Sequence, residues 1–100
     1  MGSELTLTVV HLDGVSTVRC KGEIDLATRD QLRDFLADQA GTVELDFGEL
    51  AFIESVGVGV LVATANRLKA DGGSLRIRRP QAHVRTVLEV VGLKDWLVDT

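Results

Sequence analysis

Ser55 stands between a carboxylate, Glu54, and an apolar segment spaced by glycines, Val56-Gly57-Val58-Gly59-Val60-Leu61. If that segment is helical, the serine lies at a helix N-terminus. Such an end presents unpaired N–H groups and about half a positive charge. It can use a hydroxyl as a plain N-cap, and it can equally accommodate a phosphate. The chemistry open to Ser55 is therefore regulatory phosphorylation or simple capping. Glu23, Asp25 and Glu54 are the acidic residues able to gather near it, as recognition groups or as solvated surface.

Enzymatic chemistry finds little support. A nucleophile elbow needs glycine two residues before the serine, where this chain has Ile53. The two histidines, His11 and His83, fall at a strand end and on the polar side of a helix, poor positions for a general base. No spacing of His, Cys and carboxylates suits a metal, so neither metal nor cofactor is expected. Gly57-Val58-Gly59 could begin a dinucleotide fingerprint, but Val62 occupies the place of the third glycine. No Gly-Lys-Ser/Thr phosphate loop is present. The reading is a binding protein, not an enzyme.

Composition agrees. The chain has 100 residues, 45% apolar and 26% charged, which suits one domain over residues 1–100 with its own core. Its net charge of −4 argues against direct nucleic-acid binding. In the one basic cluster, Arg76 and Arg78 alternate with Leu75 and Ile77 and read as the wet face of a strand, followed by Arg79. Cys20 is alone, so no internal disulfide forms, and its place in an alternating run makes it a buried strand residue. No window reaches the roughly 18 apolar residues of a membrane span. No basic region followed by an apolar stretch suggests a signal peptide. A cytoplasmic location follows as the expectation. Met1-Gly2-Ser3 with Thr6 meets the spacing of a myristoylation signal, and it fits an ordinary start equally well.

Local pattern supplies the elements that must position Ser55. Residues 5–10 alternate with period two, Asp13-Gly14 marks a turn, and 15–21 alternate again: a hairpin. Thr28 and Gln31 fit a capping box ahead of Leu32, Phe35 and Leu36, with Gly41 as the helix stop. Residues 42–47 read as a strand and 48–53 as a loop. Residues 56–70 have poor helix propensity at their start, but their length and amphipathic second half favour helix. Gly57 and Gly59 then need a packing reason, a close approach of that helix to the sheet. Residues 74–79 form another strand, Pro80 opens a last helix capped by Gly92, and Leu93, Trp96, Leu97 and Val98 fold back on the core. The order is β-β-α-β-α-β-α. Such an order implies an α/β fold whose later strands pair in parallel.

Two motifs carry a resemblance. Gly22-Glu23-Ile24-Asp25 is similar to Gly-Glu-Leu-Asp, and Phe52-Ile53-Glu54-Ser55-Val56-Gly57-Val58-Gly59-Val60-Leu61 is similar to Phe-Met-Asp-Ser-Ser-Gly-Leu-Gly-Val-Leu. Both belong to the STAS domain, and within it to the stand-alone bacterial anti-sigma factor antagonists. Pro80 and the helix ending Val91-Gly92-Leu93 also resemble the family's final third. The resemblance implies a mixed sheet of four to five strands with helices mainly on one face. It implies partner switching: the unphosphorylated antagonist binds an anti-sigma factor that is also an ATP-dependent serine kinase, and a sigma factor is released. Phosphorylation separates the pair and a serine phosphatase resets it. Ser55 is the implied phosphoacceptor, with Glu23, Asp25, Glu54, Val56 and Gly57 on the partner-facing surface. A monomer or weak dimer without membrane insertion is expected. The chain departs from the pattern at Glu54, where the family has aspartate, and at Val56, where a small residue is usual. STAS domains also serve as non-catalytic parts of membrane (lipid) transport or stress-signalling complexes without phospho-switching, and this is the alternative reading. A nucleotide-binding protein is a third.

Overall fold

Asp13 and Gly14 both take positive φ, 51° and 78°, as a two-residue type I′ hairpin turn requires. They join β1 (Leu5–Leu12) to β2 (Val15–Ile24) in antiparallel register, Leu12 opposite Val15 and Leu5 opposite Gly22. The computed structural model describes residues 3–98, so Met1 and Gly2 of the myristoylation pattern lie outside the described residues. After β2 come α1 (Arg29–Ala37), β3 (Thr42–Ile53), α2 (Ser55–Ala70), β4 (Ser74–Arg78) and α3 (Ala82–Val90). A single 3₁₀ turn, Lys94–Trp96, leads into a two-residue strand, β5 (Leu97–Val98). The sheet runs β1-β2-β3-β4-β5, and every pair after the hairpin is parallel.

Alternation along the strands divides the sheet into a dry face and a wet one. Val18, Cys20, Val43, Leu45, Phe47, Leu75 and Ile77 are buried together with Leu32 and Leu36 of α1, Leu61 and Leu68 of α2, and Val84 and Leu88 of α3. Burying each large apolar side chain contributes about 1.5–3 kcal/mol. The helices thus cover one face, as the resemblance implied. The other face carries an ion-pair lattice. Glu44, only 7% exposed, accepts Arg78 Nη1 at 2.9 Å and pairs with Arg76 Nη2 at 3.2 Å. Arg79 Nη2 reaches Asp46 Oδ2 at 2.7 Å. The arginine cluster therefore satisfies acids within the sheet.

Four sequence expectations change. The segment expected as a loop over 48–53 is strand. Arg19 pairs with Asp46 and Lys21 with Glu49, then Gly22 with Leu50 and Glu23 with Phe52, so β3 gains one residue at each step. These two bulges space the buried residues Phe47, Leu50 and Ile53 by three, which hides the period of two. The capping box is absent. Thr28 makes no side-chain cap bond to α1, and Gln31 Nε2 instead donates to Leu5 O at 2.7 Å. Gly41 does not stop the helix. α1 ends at Ala37, and Gly41, with φ 71°, turns the chain into β3. Pro80 precedes α3, which begins two residues later at Ala82.

The ends of α2 and α3 follow expectation. Gly72 and Gly92 take positive φ, and Gly73 N–H to Leu68 O (2.7 Å) and Leu93 N–H to Leu88 O (2.9 Å) close Schellman-type ends. Arg67 of α2 donates through Nη2 to Leu36 O and Gln39 O, both at 2.9 Å, so a cation from α2 holds one carbonyl of the last turn of α1 and one just beyond its end.

Candidate functional site

The two motifs meet at the C-terminal ends of neighbouring parallel strands, where open α/β sheets present their sites. Ile24 pairs with Ile53, and Glu54 N–H donates to Ile24 O at 2.9 Å. Asp25 and Glu54 are therefore the residues that leave adjacent strands side by side, each followed by a helix. On its other side β2 is met closely by the segment leading into β1, and Gly22 allows that contact. Its φ of 117° suits glycine alone, and a Cβ there would lie 2.2 Å from Glu4 O.

Helix α2 begins at Ser55, with Glu54 as N-cap in extended conformation. Ser55 is thus the first helical residue and not the cap itself. Gly57 and Val58 N–H groups both donate to Glu54 O, at 3.0 and 3.1 Å. The N–H groups of Ser55 and Val56 have no acceptor among the described residues, as expected of a helix start. Ser55 is exposed, while Glu54 and Val56 are half-buried. The turn beneath is anchored: Ile53 is 3% and Val58 8% exposed. Gly57 rests on Ile24, where a Cβ would come within 2.2 Å of Cγ2. The packing reason expected of the glycines holds for Gly57. It fails for Gly59, which is exposed and has nothing within 4 Å of an added Cβ.

The acidic loop is equally ordered. Asp25 Oδ1 accepts Ala27 N–H at 3.0 Å and Thr28 N–H at 3.2 Å, and Asp25 O accepts Arg29 N–H at 2.9 Å. The Asp25 side chain therefore closes the turn ahead of α1, and only its backbone carbonyl takes a donor from the helix itself, the Arg29 N–H. Thr28, 3% exposed, ties the loop from below, donating to Glu23 O at 2.9 Å and accepting Asp25 N–H at 3.0 Å. A hydrogen bond from the Ser3 hydroxyl holds the Asp25 carboxyl below its ordinary range; desolvation opposes it, and the loop donors of Thr28 and Ala27 add to the lowering. Glu23 is exposed beside it.

The structure thus brings Glu23, Asp25, Glu54, Ser55, Val56 and Gly57 to one end of the sheet. It adds features that the sequence reading missed. Leu26, 66% exposed, and Phe52, 45% exposed, give this end an apolar fringe. A signal existed for Leu26, a large apolar residue inside a turn; Phe52 was masked by the bulges. A groove of about 450 Å³ opens between α1 and α2, with Arg29, Arg33, Val56 and Gly59 in its walls. His11 lies at the opposite end of β2, bonded to Ser16 Oγ at 2.9 Å, and His83 bonds to Ala51 O, next to Phe52. Among the described residues no group of three or more His, Cys, Asp or Glu could hold a metal, and no helix is long and apolar enough to cross a membrane.

A two-motif helix start on a mixed sheet with one covered face defines the class. The family model described as "Mlab, STAS domain" matches residues 7–99, and the chain belongs to the STAS-domain family. The chain is 33% identical over 92 residues to the putative anti-sigma factor antagonist BtrV of Bordetella bronchiseptica, covering 88% of this chain and 79% of that protein. It is 31% identical over 81 residues to the anti-sigma-B factor antagonist of Bacillus subtilis, covering 78% and 74%. Among solved structures, the anti-sigma factor antagonist SpoIIAA in its unphosphorylated form superposes with a TM-score of 0.85 at 25% identity, over 95% of this chain and 88% of that one. The chain is thus a relative of the anti-sigma factor antagonists in sequence and in fold.

Proposed function

We propose that the protein is an anti-sigma factor antagonist whose unphosphorylated form binds an anti-sigma factor that is also a serine kinase, releasing a sigma factor. Phosphorylation of Ser55 ends the complex and a serine phosphatase restores it. The observation that carries this reading is the exposed Ser55 at the first position of α2, on a helix start fixed by the Gly57–Ile24 contact. A kinase can reach that hydroxyl without unfolding its surroundings. The names of the relatives support the partner, and the SpoIIAA structure, of an unphosphorylated form, supports control by phosphorylation.

The energetics suit a switch without a large movement. A phosphate adds about −1.5 to −2 charges. Within the domain, the unpaired N–H groups of Ser55 and Val56 and the α2 dipole tolerate it. Across an interface it meets a surface shaped for a neutral hydroxyl, and Glu54 and Asp25 already supply negative charge there. Like-charge juxtaposition costs several kcal/mol of binding, and about 2.7 kcal/mol is a hundredfold. Glu23, Asp25, Glu54, Val56 and Gly57 form the recognition surface around Ser55, with Leu26 and Phe52 as its apolar contacts.

Wild type, Ser55→Ala and Ser55→Asp used as baits in a native lysate test the proposal, with captured proteins quantified by mass spectrometry. A kinase-like ATPase held by the first two and lost from the third is the expected result. Equal retention of the same partners by all three sinks the switch.

A further inference from the structure

The two edges of the sheet are treated differently. β5 is two residues long and is preceded by Lys94 and Asp95, so that edge offers little to pair with. β1 is eight residues long, contains no charged residue and no proline, and runs opposite β2 without a bulge. It therefore lacks the usual devices that keep an edge strand from pairing. Two of the most exposed large apolar side chains of the protein, Val10 at 66% and Leu12 at 69%, lie on it.

Hairpin geometry says which backbone groups are free. The residues flanking a two-residue turn face each other as a hydrogen-bonded pair, and such pairs recur at every second residue. Leu12 and Val15 are that pair here, so Thr8 and Val10 also bond inward to β2. The N–H and C=O groups of Leu7, Val9 and His11 point outward. At Leu5 the outward carbonyl is already taken by Gln31 Nε2. Among the described residues the free edge therefore has three members and is centred on Val9.

We propose that β1 pairs antiparallel with β1 of a second copy of this chain about a two-fold axis at Val9, making one continuous ten-stranded sheet. Val9 then faces Val9 of the second copy, and Leu7 faces His11. On the wet side of the sheet, Thr8 faces Val10 and Thr6 faces Leu12, so both exposed apolar side chains gain partners. A second copy fits better than an unrelated strand because the edge is complementary to itself under this rotation. The chain carries net charge −4, yet the contact sets no acid against another. So short an edge buries less than the roughly 1,200 Å² of a standard stable interface, and the dimer is a weak one. Ser55 lies at the start of α2, beyond β3, and stays accessible; the inference does not depend on its phosphorylation.

Sedimentation velocity of the purified full chain, from about 1 μM to about 1 mM, tests this together with two edge variants, Val10→Lys and Leu12→Lys. Both replace exposed side chains, and an unchanged thermal midpoint checks that each still folds. Wild type is expected to shift toward twice the monomer mass as concentration rises, while each lysine variant remains monomeric. Val9→Cys supplies an independent reading. Facing Cα atoms in a hydrogen-bonded pair lie about 5.5 Å apart, within disulfide range, so mild oxidation should yield a covalent dimer. A wild type that is monomeric throughout, or a dimer that both lysine variants leave intact, overturns the proposal. Failure of Val9→Cys to cross-link while wild type dimerises overturns the Val9-centred register.

Discussion

Gly57 of α2 lies directly against Ile24 of β2, so closely that a Cβ on the glycine would stand 2.2 Å from Ile24 Cγ2. This contact joins the two motifs, since Ile24 precedes Asp25 and Gly57 follows Ser55 by two residues. Ile24 is fully buried and has no room to withdraw. Gly57→Ala should therefore destabilise the fold by about 1–3 kcal/mol through overpacking, despite alanine's better helix propensity. Gly59→Ala is the control. An added Cβ meets nothing within 4 Å, and the change should stabilise by up to about 1 kcal/mol. Urea denaturation of the two variants should give shifts of opposite sign; equal signs would contradict the contact.

Charge at Ser55 should be tolerated by the folded domain. A negative group on the first turn of α2 interacts favourably with the helix dipole, by about 0.3–1 kcal/mol at low ionic strength. Ser55→Asp and the phosphorylated protein should melt at or slightly above the wild-type temperature. Salt should shrink that advantage. A large loss of stability would mean that phosphorylation acts by unfolding.

Acid should weaken the wet face of the sheet. Asp46 has a side chain only 14% exposed. Burial pushes its carboxyl up, but the Arg79 hydrogen bond, the Gly48 N–H at 2.9 Å and the charges of Arg79 and Arg19 outweigh this and hold it below 3.8. A depressed carboxylate binds fewer protons folded than unfolded. Its contribution is therefore present above the unfolded value and is lost as pH falls through the folded one. The urea midpoint of wild type should drop as pH falls below about 4. Asp46→Asn should be less stable at neutral pH and should show a flatter acid limb; an unchanged slope would exclude Asp46 as a source.

Cys20 should be inert in the native protein. Burial first, and the Asp46 charge second, push its thiol up to about 12. Almost no thiolate exists at neutral pH, and the thiolate is the reactive form. Ellman's reagent at pH 8 should label it only at the rate of unfolding, with full reaction in denaturant. Prompt labelling of the folded protein would place the thiol nearer solvent.

Much was legible locally. Alternation around Asp13-Gly14 encodes the hairpin, because side-chain period and turn chemistry act over a few residues. The buried spacing of Leu32 and Leu36, and of Val84 and Leu88, encodes the dry faces of α1 and α3, and Gly92 encodes the end of α3. Ser55 was marked by its own neighbours, a carboxylate before it and a helix after it. Relationships between distant segments were decided only by the tertiary structure. Two bulges in β3 set the register that places Ile24 beside Ile53, and this makes Asp25 and Glu54 neighbours. Thr28 and Gln31 have the types of a capping box, yet nearby carbonyls of Glu23 and Leu5 claim their side chains. Gly57 and Gly59 look alike in the sequence, and only one faces Ile24. A side chain's type states what bonds it can make, whereas the partner it finds depends on which backbone the fold brings within about 3 Å.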